Sequence, residues 1–311
     1  MGKSLVLVFH EEDNGPLFEK IILALKKRYR LVSIHELEQL LTQKKKLKNV
    51  CHISFDDGHM SFYNVIFPVL QKHNVPVSLF ISPEVITTKK NYWFQEVHDY
   101  DEKTIKKILV RQLNISPGKI SKTPFKIILK ALPIHVIEKV MDIYRQETSC
   151  GTKASENINE VQLQEVVSSG LVTIGAHSLK HPILKNENDT DSRHEITASI
   201  KRLEALTGKP VKYFAFPNGS PGLDFGEREI NYLRDNNITM AFSAESDTIS
   251  PENNLLNIPR LGFHRMGLHP SNPLIFLRLN LGKKWMIIKS FASKSEKKIR
   301  EKISKLLKPQ S

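Results

Sequence analysis

The feature that most constrains this chain is a repeated switch of hydrophobic period. Short apolar runs of strand length alternate with longer stretches whose apolar residues recur every three or four positions. Residues 5–9, 50–55, 77–81, 172–175, 212–216 and 240–243 read as strands, with a further one around 257–261. Residues 17–29, 33–41, 60–73 and 160–168 carry helical spacing between them. A later helix is read as opening on a capping box, Ser192-Arg-His-Glu195, and stopping at Gly208 and Pro210. Residues 101–156 break the alternation: Ile105, Ile108, Leu109, Ile137, Val140 and Met141 keep helical spacing with no strand among them. The pattern predicts an α/β fold, a parallel sheet or barrel carrying a helical insertion.

In such folds ligands gather at the carboxyl ends of the strands. The residues found there are His10, Asp56-Asp57-Gly58, His177 with His181, and Pro217-Asn218-Gly219. Adjacent carboxylates must point in different directions, so one can ligate a metal while its neighbour stays free for proton transfer. His177 and His181 are four residues apart, a spacing that brings both imidazoles to one ion if the turn is helical. One Asp and two His make an open three-ligand site suited to Zn²⁺ or a similar divalent ion, with positions left for water and substrate.

Three segments, Ser54-Phe-Asp-Asp-Gly58, His177-Ser-Leu-Lys-His181-Pro182 and Phe214-Ala-Phe-Pro-Asn-Gly219, occur in order with matching spacers. Together they resemble the first three motifs of the polysaccharide deacetylases, carbohydrate esterase family four. Val8-Phe9-His10 is similar to an entry strand of bacterial members, and Tyr92-Trp93-Phe94 to an aromatic segment after the third strand. The resemblance spans roughly residues 4–262 and implies an irregular (β/α) barrel that removes an N-acetyl group from an amino sugar. It implies that Asp57, His177 and His181 hold the metal and that Asp56 deprotonates the attacking water. It further implies that backbone N–H groups around Asn218 stabilise the tetrahedral oxyanion. Two positions depart from the family pattern. Ala215 stands where an Arg usually orients the base, leaving Arg260 as the candidate cation. The late general-acid motif is replaced by two candidates, His264, the one assigned, and His269. His10 is expected to line the pocket.

The formal charge of +13 suggests nucleic acid until it is located. Residues 283–311 hold ten Lys/Arg and two Glu, a net +8. The body, residues 1–282, is therefore not notably basic, and no specific nucleic-acid partner is expected. The tail reads as a basic amphipathic helix, with Ile288, Phe291, Ala292, Ile299, Ile303 and Leu306 on one face. That face either packs the helix back on the barrel or makes an anionic membrane surface a candidate partner beside an acetylated glycan or glycolipid substrate. Two cysteines, the short apolar run at residues 5–9 and the lack of ~18 consecutive apolar residues give a cytoplasmic expectation, peripheral on the inner face of the membrane if the tail docks. Two rival readings stay open at this point: a non-catalytic carbohydrate-binding relative, and a metal-dependent amidase acting on a non-sugar amide.

Overall fold

The computed structural model describes residues 3–263, Glu296 and residues 298–305. Its strands are β1 (Leu5–Phe9), β2 (Arg30–Leu31), β3 (Val50–Asp56), β4 (Val77–Ile81), β5 (Val172–Ala176), β6 (Tyr213–Ala215), β7 (Met240–Phe242) and β8 (Leu261–Gly262). They form one sheet in the order β7-β6-β5-β4-β3-β1-β8, with β2 on β3, and every strand pair is parallel. Residues 255–262 curl this sheet into a distorted barrel. On one side Leu255 O and Ile258 O accept the N–H groups of Ala241 and Ser243. On the other, Leu261 and Gly262 lie in register with Leu7 and Val8 of β1.

Alternation along the strands sorts side chains between two environments. Cys51, Ile53 and Phe55 of β3 join the large core beneath the helices, as do Leu5, Leu7 and Phe9 of β1. The other face of β3 carries Val50, His52, Ser54 and Asp56, all buried. Each polar group on it has a partner, as burial demands. His52 meets Val32 O at 2.9 Å and Ser78 Oγ at 2.8 Å, and Ser54 Oγ donates to Leu7 O at 2.9 Å. This polar strip ends at Asp56, at the carboxyl end of the strand.

Three boundaries differ from the sequence expectation. The apolar run from Met60 is a wider π turn, Phe62–Ile66, followed by a helix at Phe67–His73. Pro68 therefore sits in the first turn of that helix, where its missing N–H costs nothing. The late helix runs Asp189–Thr207 and is capped by Asn188, whose side chain accepts from Asp191 N–H. Ser192 and Glu195 lie inside it and face inward, because buried neighbours use them: Ser192 Oγ donates to Glu229 Oε1 at 3.1 Å. The third is the short strand β2, two residues that no periodicity could reveal.

Helices Glu102–Leu113, Phe125–Leu129 and Ile134–Thr148 build a second core, which begins at Trp93 rather than Asp101. Helical residues 298–305 pack onto it through Ile303, with Ile299 alongside. For those two residues it is the packed-back alternative that is observed, since the stripe they share is covered by protein. An amphipathic face records only that something apolar covers it. The rest of the tail stripe, with His264 and His269, lies outside the described residues. Among the described residues, no helix is long and apolar enough to cross a membrane.

Candidate metal centre

Asp56 closes β3, and the chain turns at once. Gly58 N–H donates to Asp56 O at 2.9 Å, while Asp57 takes a left-handed φ of 69°. Gly58 is required here: its φ is also 69°, and a Cβ would lie 2.9 Å from Ile81 Cγ2. The reversal sends the two carboxylates apart, one toward the barrel axis and the other toward β5. There, His177 N–H donates to Ile81 O at 3.0 Å, which seats His177 directly beyond the end of β4. His177 and His181 are not on a helical turn, which corrects the conditional expectation. Ser178 and His181 both have φ of 61°, and Ser178 Oγ accepts from His181 N–H at 3.0 Å. A tight loop brings the two rings together instead.

The three candidate ligand atoms converge. His177 Nε2 and His181 Nε2 are 3.1 Å apart, and each lies 3.6 Å from Asp57 Oδ1. Ligands ~2.1 Å from a tetrahedral ion are separated by ~3.4 Å, which this triangle matches. Proton placement agrees. His177 Nδ1 is 2.7 Å from Ala215 O, a group that can only accept, so this nitrogen carries the proton and Nε2 offers a lone pair. Asp57 Oδ1 is buried and has no hydrogen-bond donor. Burial lowers His177 to about 4 and His181 well below its ordinary value. Burial, then the neighbouring Asp56 charge, raises Asp57 well above its own. Two neutral imidazoles and an unsatisfied carboxylate oxygen fit a divalent cation.

Beside this triangle, Arg260 grips Asp56. Its NH1 and NH2 groups donate to Asp56 Oδ1 and Oδ2, each at 2.7 Å, and both residues are buried. The barrel closure explains the reach. Arg260 lies between Ile258, which meets β7, and Leu261, which meets β1, so its side chain enters the barrel interior. Phe80 and Phe242 flank the guanidinium, with ring centroids at 5.5 and 5.9 Å. Burial alone would raise the Asp56 carboxyl, but Arg260, aided by His177, holds it down at about 2. His10 Nε2 is 4.0 Å from Asp56 Oδ2 on the open side of the site. Asn218 is part-buried with φ of 60°, and its N–H has no acceptor among the described residues.

Several supports were not assigned to the site from the sequence, although Tyr92 and Trp93 belong to the aromatic segment singled out there. Tyr92 OH donates to Asp57 O at 2.9 Å, and Trp93 Nε1 donates to His181 O at 3.1 Å. Glu195, read from sequence as part of a cap, has Oε2 accepting both Leu179 N–H and Lys180 N–H at 2.9 Å, so it pins the histidine loop. Burial raises its carboxyl to about 7 despite those bonds. A value raised above the ordinary 4.5 gives stability that is full below that pH and lost as pH rises through about 7. At ~1.4 kcal/mol per pKa unit the loss is on the order of 3 kcal/mol. Glu195→Gln lacks this titration. In chelator-treated protein, the wild-type advantage in unfolding free energy is therefore expected to shrink by that order between pH 4.5 and 8. Parallel stability curves would remove this ionisation from the account.

A second grouping, His135, Glu187 and Asp191, brings ligand atoms within 4.8 Å of one another. Glu187 is already employed: Ile134 N–H donates to its Oε1 at 2.7 Å at the start of Ile134–Thr148, where the N-cap is a proline. Its two companions are exposed.

A family model described as Polysaccharide deacetylase matches residues 134–241, which hold His177, His181 and the Pro217–Gly219 turn but not Asp56 or Asp57. No curated protein matches the sequence. Among solved structures, IcaB from Ammonifex degensii is similar with a TM-score of 0.57 at 17% identity, over 85% of this chain and 93% of its own. The Streptococcus pyogenes deacetylase PplD, solved in complex with acetate, has a TM-score of 0.57 at 16% identity, over 88% and 96%. The deacetylase domain of BpsB from Bordetella bronchiseptica has a TM-score of 0.54 at 16% identity, over 84% and 95%. At these identities the structural likeness is one of fold. The family model thus matches about a third of the chain, residues 134–241, and the solved structures share its distorted-barrel fold.

Proposed function

We propose that the protein is a divalent-metal-dependent N-deacetylase that hydrolyses the acetamide of an amino sugar in a polysaccharide, oligosaccharide or lipid-linked glycan. The observation that carries this reading is the Asp57–His177–His181 triangle lying beside a carboxylate held ionised by Arg260. The ion we assign is Zn²⁺, on the chemistry of two imidazoles and one carboxylate. When bound, it supplies a Lewis acid that acidifies water and polarises a carbonyl oxygen.

The chain's own residues do the rest. Asp56 takes the proton of the attacking water at a carboxylate oxygen, while Arg260 holds that carboxylate ionised and in one orientation. The Asn218 N–H faces the developing oxyanion. The C–N bond then breaks and the amine departs with a proton, for which His264 is the assigned donor. Acetate is the expected product, and the similar Streptococcus pyogenes deacetylase was solved with acetate.

Acetate release is the test. N-acetylglucosamine oligomers are expected to release acetate, a simple aliphatic acetamide much less, with activity lost to a chelator and restored by Zn²⁺. Release from the simple amide alone would favour an amidase. No release from any substrate, with glycan binding retained, would favour a non-catalytic relative.

A further inference from the structure

Arg300 is among the bulkiest fully buried side chains of the protein, 2% exposed, and it belongs to the C-terminal helical residues 298–305. A guanidinium is costly to bury without an anion. Its anion is Asp224, also buried, with Arg300 NH2 2.6 Å from Asp224 Oδ1. Neither Arg300 Nε nor NH2 makes an aligned hydrogen bond, so the pair attracts as charges rather than through a bidentate fork. The helix bearing Arg300 is fixed by Ile303 in the insertion core and by Glu296, which meets Lys130 at 3.1 Å.

Asp224 in turn organises the turn that carries Asn218. Its Oδ2 accepts Ser220 N–H at 2.8 Å, and its own N–H donates to Ser220 O at 2.9 Å. Asp224 O accepts Lys185 N–H at 3.0 Å. Ser220 follows Gly219, whose O accepts Ala244 N–H at 2.8 Å. Gly219 has φ of 73°, and a Cβ there would lie 2.8 Å from Ala244 N. Asn218 is thus held on one side by the backbone after β7 and on the other by a Ser220–Asp224 loop whose buried charge needs Arg300.

We propose that Arg300 is a positioning residue for the Asn218 turn, so that the C-terminal segment completes the deacetylase site through Asp224. This rests on the reading that the Asn218 N–H faces the oxyanion. The clamp itself stands on geometry alone and can be tested apart from turnover. In Arg300→Met the aliphatic stem remains but Asp224 is left buried without its cation. In Arg300→Lys a point charge remains, which suits a pair that has no aligned fork.

Hydrogen exchange with mass-spectrometric readout of the full chain, alongside kinetics on an N-acetylglucosamine oligomer, tests both halves. For Arg300→Met, peptides spanning 216–226 are expected to exchange at least ~10-fold faster, while peptides from β1 and β3 keep wild-type rates. The kcat is expected to fall ~10–100-fold with KM unchanged, less than the ~10²–10³ of losing an oxyanion donor outright. Arg300→Lys is expected to recover most of both effects. Unchanged exchange at 216–226 overturns the clamp, as does faster exchange throughout the barrel, which marks general destabilisation. A selective exchange effect with kcat untouched overturns the positioning role. Wild-type protein that releases no acetate sinks the deacetylase reading, while the exchange comparison still decides the clamp.

Discussion

Replacing His177 with alanine is expected to leave the protein unable to retain a divalent ion and to remove the proposed deacetylase activity. The triangle has three corners of protein: among the described residues, Asp57, His177 and His181 are the one wholly buried grouping of such ligand atoms. His177 is also the most constrained of them, 2% exposed and tied by Nδ1–H to Ala215 O at 2.7 Å. Alanine deletes one ligand and leaves that carbonyl without its donor, and neither loss can be repaired by a rotamer change nearby. Lewis-acid stabilisation is worth several kcal/mol of barrier, so roughly 10³-fold or more in rate should disappear. Elemental analysis after dialysis, with acetate release from an N-acetylglucosamine oligomer, checks both halves. Full metal content in His177→Ala would remove these residues from the metal site.

The metal-site geometry explains which parts could be read from the residues. Strand ends were legible because β1, β3, β4 and β5 are each five to seven residues of buried chain bounded by polar groups. A parallel barrel puts such ends on one rim. The His177–His181 spacing was legible as a pair, but its conformation was not. Positive φ at Ser178 and His181 leaves no mark in residue type, since neither is glycine. Glu195 was misread because Ser-x-x-Glu is also what a buried helix face looks like when neighbouring backbone needs an acceptor. Local pattern reported a cap, and tertiary demand overrode it. In the tail, the stripe told only that a face is covered: for Ile299 and Ile303 the cover is the insertion core. Arg300 and Asp224 were invisible for a different reason. Seventy-odd residues separate them, and only the folded chain brings a lysine-rich tail onto the Asn218 turn.

The second large effect is expected at Asp56, and it separates chemistry from stability. Asp56→Asn should keep the ion, because the triangle does not use Asp56, yet lose ~10²–10⁴-fold in rate, because an amide cannot take the proton of the attacking water. The same change strands Arg260, which is 2% exposed and has given both fork donors to that carboxylate. Breaking a buried pair on one side costs ~3–5 kcal/mol. Asp56→Asn is therefore expected to be less stable as well as inactive, and Arg260→Met, which strands the anion instead, should lose stability by a similar amount. The double variant decides what the pair is for. With both charges gone and Phe80 and Phe242 already flanking the guanidinium position, Asp56→Asn with Arg260→Met should recover much of the lost stability. Activity should stay at the Asp56→Asn level, since nothing then accepts the proton. Chemical denaturation and acetate release on the four proteins complete the cycle. An Asp56→Asn enzyme with wild-type turnover would overturn the division of labour between the two aspartates. A double variant as unstable as the sum of the singles would mean that Arg260 is held by the barrel closure rather than by Asp56.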